Sequence, residues 1–223
     1  MSEKNYAVLT GDIVESRKLS SERSKALQER LKSAAAEFEE TFPGTVIGRL
    51  GITRGDGWQV ALEKPGFSLR LALYLRAIVK AEFGTDSRVS IGIGPVDRLE
   101  AGNIVESTGP AFEHSGHGLE ALRKKHRMVF SAGECEEFKV AQPLMGLLDL
   151  LVQRWTERQS FVASHLLLNR TQEEIAELSP VDPRRGSKPT RQAVSKTQDQ
   201  MGFNRIEETV LFIEEATFTG CNL

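Results

Sequence analysis

The 223-residue chain is 39% apolar and 27% charged, material for one substantial core or two small ones. A formal charge of -2 gives no global attraction to nucleic acid or acidic lipid, so a polyanionic partner has to be met by a local patch. No apolar run approaches the ~18 residues that cross a bilayer. The nearest, MGLLDLLV, is interrupted by an Asp, which argues against a membrane-spanning helix. Cys135 and Cys221 lie far apart without metal-ligand spacing, and no charged-then-apolar leader opens the chain, so a reducing cytoplasm is the expected location.

In chain order, residues 5–10 (NYAVLT) read as a buried strand, and residues 21–42 place Leu27, Leu31, Ala34, Ala35 and Phe38 at helical spacings of three and four. TVIGRLGITRGDGWQVALE has two β-rich halves pivoting on Gly55-Asp56-Gly57, a hairpin signal. FSLRLALYLRAIVKAEF (67–83) is helical by period, with Arg70, Arg76 and Lys80 along its polar side, and RVSIGIGPV (88–96) alternates as a strand. This βαββαβ order predicts an α+β, ferredoxin-like unit, one sheet carrying two helices on one face. GPAFEHSGHGLEALRKKH predicts a further helix and RMVFSA a further strand. His114 and His117 share a face of that helix without a third metal ligand at identifiable spacing, and the basic run 123–127 reads as a solvated helix end.

Composition changes over GECEEFKVAQP, where Pro143 opens a new register, and a division into 1–138 and 139–223 is expected. The second part reads as all-α: LMGLLDLLVQRWTERQSFVASHLLL, TQEEIAEL, TRQAVSKTQDQM and NRIEETVLFIEEA, with the irregular SPVDPRRGSKP between the second and third.

If the first strand and the hairpin are neighbours in the sheet, Asp12 at the strand end and Asp56 at the hairpin tip bring two carboxylates to one point across 44 residues. With the Ile13 carbonyl they would form an all-oxygen site for Mg²⁺ or Mn²⁺, and so a place for nucleotide phosphates. Taken singly, each Asp also suits a cap or turn position.

TGDIV, RGDGWQVAL, RVSIGIG and GPAFEHSGHGLEAL together resemble the catalytic domain of class III nucleotidyl cyclases over roughly the first 130 residues. Over nearly its whole length the chain more closely resembles the SatD family, a short cyclase-like domain joined to a C-terminal helix-turn-helix. The resemblance implies nucleotide contacts at Glu15, Ser16, Arg17, Glu113 and His117, and a homodimer, because cyclase sites form between subunits. It also exposes departures. Glu15 replaces a glycine where backbone amides approach phosphate, and Ile52 stands where a purine-selecting side chain is common. Glu113 and His117 replace the Asn and Arg that orient ribose and stabilise the transferring phosphoryl group.

In the second part, Thr171 and Glu174 form a capping-box pattern ahead of Ile175, Ala176 and Leu178. Thr190 caps the next helix, with Ala193 and Val194 inward and Arg191, Gln192, Ser195 and Lys196 outward, side chains that read major-groove edges and phosphates. The pair resembles a regulator helix-turn-helix whose turn is lengthened by eleven residues carrying Arg184, Arg185 and Lys188. From 184 to 196 there are five basic residues and no acidic one, which suits double-stranded DNA. The expectation is a DNA-binding regulator with a degenerate cyclase-like domain that senses a nucleotide or divalent metal, or dimerises. The alternative is an active nucleotidyl cyclase or nucleotidyltransferase tethered to DNA.

Overall fold

A computed structural model describes residues 4–53, 55–123, 125–133, 136–183, 186–216 and 218, with backbone alone for 136–138. Cys135 and Cys221 lie outside the described residues.

Strand β1 (Tyr6–Ile13) leads through a tight turn to α1 (Ser21–Thr41), whose Ser20 cap accepts from the Arg23 N–H at 3.2 Å. There follow β2 (Val46–Ile52), β3 (Trp58–Leu62), α2 (Ser68–Phe83), β4 (Ser87–Gly94), α3 (Pro110–Ala121) and β5 (Met128–Ala132). The sheet order is β2-β3-β1-β4-β5, antiparallel except for the parallel β4–β5 pair. Period-two alternation gives the sheet two covered faces. Ala7, Leu9 and Ile13 join the core shared with α1 and α2, while Val8 and Ala61 meet Ala111 and Phe112 of α3 on the other. Here α3 lies directly on the backbone: a Cβ at Gly92 would fall 2.2 Å from the Ala111 carbonyl oxygen.

The remaining helices are α4 (Glu136–Gln153), α5 (Glu157–Leu166), α6 (Gln172–Leu178), α7 (Arg191–Gln200) and α8 (Phe203–Glu214). The long helix expected from residue 144 is two, because Thr156 and Gln159 make a capping box that starts α5. Nor does Pro143 open a register. It sits exposed inside α4, whose inner residues Ala141, Met145, Leu148 and Val152 keep helical spacing past it. One continuous apolar cluster holds residues from both sides of position 138, from Ala7 of β1 to Ile213 of α8.

The polar side expected on α2 is instead interior. Arg70 and Arg76 are buried, and each is met by an acid from a distant helix, Arg76 also by Asp86 at the entry to β4. The Arg76 guanidinium donates to Asp86 at 3.0 and 2.8 Å and to Asp149 of α4 at 2.9 Å. The other Asp149 oxygen accepts the Arg127 N–H at 2.7 Å and the Gln153 amide at 3.0 Å, so α4 is tied to the entry of β5. Burial opposes the Arg76 charge, but Asp86 and Asp149 outweigh it and its pKa rises. Arg70 pairs with Glu214 of α8 and donates to the Leu167 carbonyl at 3.2 Å. Arg76→Met strands two buried carboxylates and is expected to lower stability by about 3–5 kcal/mol in urea denaturation. Arg205→Met, which loses a surface pair with Glu208, should leave the midpoint in place.

Candidate functional site

At the end of β1 the backbone passes under Trp58, whose ring fills the space a side chain on Gly11 would need, only 2.4 Å from a Cβ there. Trp58 Nε1 donates to the Ser87 hydroxyl at 3.1 Å, and that hydroxyl donates to the Asp12 carbonyl at 2.7 Å. These contacts fix Asp12 on the α3 side of the sheet, directly opposite Arg88 of β4. Across the hairpin, the Thr53 N–H donates to the Gly57 carbonyl at 2.8 Å, and Gln28 of α1 holds the Gly55 carbonyl at 3.0 Å. Asp56 is half-buried in this turn.

The cation that Asp12 meets is a side chain. Arg88 Nε donates to Asp12 Oδ1 at 2.8 Å while its Nη2 donates to Oδ2. Those bonds to Asp12 raise the Arg88 pKa against the cost of burial, and the Asp56 charge adds to the rise. Both Asp12 oxygens are therefore engaged by a bidentate fork. A divalent ion at Asp12 would therefore compete with the guanidinium for these oxygens. Among the described residues, no group of three His, Cys, Asp or Glu is placed to hold a metal.

The resemblance-derived nucleotide contacts are spread out. Glu15 takes a left-handed backbone (φ 54°, ψ 31°), a conformation that glycine adopts more readily. It pairs with Lys18 at 2.7 Å, across the turn holding Ser16 and the exposed Arg17. Ile52 packs against the core. Glu113 and His117 are exposed on α3, and no hydrogen bond or ion pair joins them to Asp12, Asp56 or Arg88 among the described residues. His117 borders a small cleft with Val129 and Ser131, at the β5 edge of the sheet. A second cleft, of about 430 Å³, opens beside Glu15 and is lined by Lys80, Thr85, Asp86, Arg127 and Trp155. Burial pushes the Lys80 pKa down, partly countered by Asp86. Sequence reasoning missed Arg88 and Lys80; the alternation in RVSIGIG puts Arg88 on one face with Ser90, and only the strand order reveals which acid it meets.

In the C-terminal part, Thr171 and Glu174 form the expected capping box, and Ile175 and Ala176 are buried, whereas Leu178 turns outward. Thr190 accepts the Ala193 N–H at 3.3 Å and caps α7. Val194 is buried, Ala193 half-buried, and Gln192 and Lys196 exposed with Ser195 partly so. Arg191 pairs with Glu173 of α6 at 2.6 Å, and Lys188 donates to the Glu177 carbonyl. Arg191, Gln192, Ser195 and Lys196 line a shallow cleft of about 320 Å³ with Gln172 and Asp199. The intervening loop closes on itself, the Asp182 N–H donating to the Ser187 carbonyl at 2.9 Å. Arg184 and Arg185 lie outside the described residues.

A family model described as the SatD family matches residues 6–191, and the chain belongs to that family. No curated protein matches it. Two structures of a bacterial light-regulated adenylyl cyclase are similar at 14% identity, over 56% of this chain and 42% of theirs, with TM-scores of 0.42 and 0.39. The chain thus spans less than half the length of those cyclases.

Arg88→Gln is expected to free the Asp12 oxygens and raise Mn²⁺ affinity at least about tenfold by titration calorimetry, since a fork of two charge-assisted bonds no longer competes. Equal affinities would show that the guanidinium does not guard the carboxylates. Glu15→Gly should raise the denaturation midpoint, because relief of about 1–2 kcal/mol of left-handed strain exceeds roughly 0.5–1 kcal/mol of added unfolded-state freedom.

Proposed function

We propose that the chain is a DNA-binding regulator, a homodimer in which a ferredoxin-like, cyclase-like unit is joined to a helix-turn-helix made by α6 and α7. The observation that carries the DNA reading is α7 itself. Its apolar residues are spent inward on Val194, while Arg191, Gln192, Ser195 and Lys196 share one solvent-facing cleft. Within the C-terminal part, the stretch from 184 to 196 holds five basic residues and no acidic one, a local attraction for polyanions in a chain whose formal charge is -2. Arg191 gives up its Glu173 partner to reach a phosphate, so binding is expected to be salt-sensitive.

The N-terminal unit reads best as a sensor. Its β2-β3-β1-β4 order, with α1 and α2 on one face, supports the ferredoxin-like assignment. Against catalysis stand the Arg88 fork on Asp12, the glutamate at position 15 and, among the described residues, the lack of any hydrogen bond or ion pair from Glu113 or His117 to the carboxylates. What keeps an active cyclase as the second reading is that Asp12 and Asp56 are both retained, with Asp12 at the end of β1, where Mg²⁺ or Mn²⁺ with a nucleotide would compete with Arg88. Incubation with each nucleoside triphosphate and Mn²⁺, read by mass spectrometry, separates the readings: no cyclic or transferred product is expected.

For the DNA reading, Arg191→Ala with Lys196→Ala should weaken duplex binding in gel shifts at low salt. It should also flatten the dependence of log affinity on log salt by about one for each lost phosphate contact. Unchanged affinity and slope would remove α7 as the recognition helix.

A further inference from the structure

Helix α4 carries two apolar faces. The inner one, Ala141, Met145, Leu148 and Val152, is buried in the core. The outer one is not covered: Val140, Leu147, Leu150 and Leu151 are 49%, 62%, 54% and 44% exposed. The half-buried Leu144 and the exposed Pro143 lie between them. Together they repeat at 140, 143/144, 147 and 150/151, the seven-residue spacing of a helix–helix seam. The stripe runs for about 17 Å at 1.5 Å per residue. Beside Leu147, the exposed Gly146 leaves a notch, with nothing within 4 Å of where a side chain would begin. Helix α8, which packs next to α4, adds exposed Leu211 and Phe212.

We infer that this outer face of α4 is the contact through which two copies of the chain associate, an inference that deepens and rests on the dimeric part of the function proposed above. The charge pattern selects the occupant. Between Val140 and Leu151 the only ionisable residue is Asp149, which is buried on Arg76, so the exposed stripe offers nothing to a charged partner. Helices that lie on membranes back their apolar face with Lys and Arg, and α4 has only Lys139 to offer. A second copy presents the same uncharged leucines, and a two-fold contact sets like against like without repulsion. Apolar patches of about 300–600 Å² are the largest that monomers usually expose, and they are often functional.

Light scattering on size-exclusion-separated full chain tests this. Wild type is expected at about 49 kDa, twice 24.7 kDa, and Leu147→Glu with Leu150→Glu at the single-chain mass with an unchanged urea midpoint. Leu99→Glu with Val105→Glu, which charges exposed apolar residues away from α4, should remain dimeric. Independently of any destabilisation, and with Cys135 and Cys221 replaced by Ser, Leu147→Cys should cross-link into dimers with a short bismaleimide where Leu99→Cys does not. A monomeric wild type at micromolar concentration overturns the proposal, as does a dimer that survives the α4 glutamates or a Leu147→Cys protein that stays uncross-linked. Absence of duplex binding by wild type leaves the mass measurement untouched, so the DNA reading and this interface fail separately.

Discussion

A single guanidinium organises the centre of the molecule. Arg76 is fully buried in α2, and its two carboxylate partners come from the entry to β4 and from α4. Taking three charges out of water carries a large desolvation cost, recovered only when donors and acceptors are matched in good geometry. Here they are: Arg76 gives two bonds to Asp86 and one to Asp149, while Asp86 also takes the Ser87 N–H and Asp149 the Arg127 N–H. Apolar contacts between α2 and its neighbours could slide by a side chain's width at modest cost. The triad cannot, and so it fixes the angle at which α4 meets the sheet. Arg70 repeats the device at the other end of α2, clamping Glu214 of α8 and the carbonyl that ends α5.

How much of this was legible in sequence follows from the range of each interaction. Caps and turns are written within four residues, and Ser20, Thr171 with Glu174, Thr190 and Asp56-Gly57 all fall where local chemistry puts them. Thr156-x-x-Gln159 is a signal of the same kind, overlooked because the leucines on either side give an unbroken apolar rhythm. The arginines of α2 were misread for a different reason. Their periodicity is that of a solvated stripe, and nothing within a few residues says that acids 73 and 144 positions away will cover them. Arg88 is the same problem in a sheet. Its partner is its neighbour only once β1 and β4 are paired in register.

The carboxylate end of β1 is therefore best described as a charge-balanced site. Asp12 is neutralised by a guanidinium, where a divalent ion could supply the same charge. The guanidinium arrives with the fold, at high effective concentration, so any ion competes with an intramolecular partner. Glu15 pushes in the same direction. Its left-handed backbone keeps the turn that a glycine would make, while its side chain and Lys18 occupy the approach.

Two oddities of the sequence resolve into one helix. MGLLDLLV has too many leucines for a helix with a single buried face, and an aspartate where a core helix should have none. Asp149 is the residue that Arg76 requires, and without it the α2 guanidinium would be left with one carboxylate for five N–H donors. The surplus leucines lie opposite, on the face turned away from the core. A helix held on its inner side by a buried ion triad can present an apolar outer side as a fixed surface, because rotation about its axis would break Asp149 away from Arg76. Such rigidity matters for association: side chains on a preorganised helix lose less freedom on contact than those on a frayed one. The charge inside α4 and the absence of charge outside it are two parts of the same arrangement.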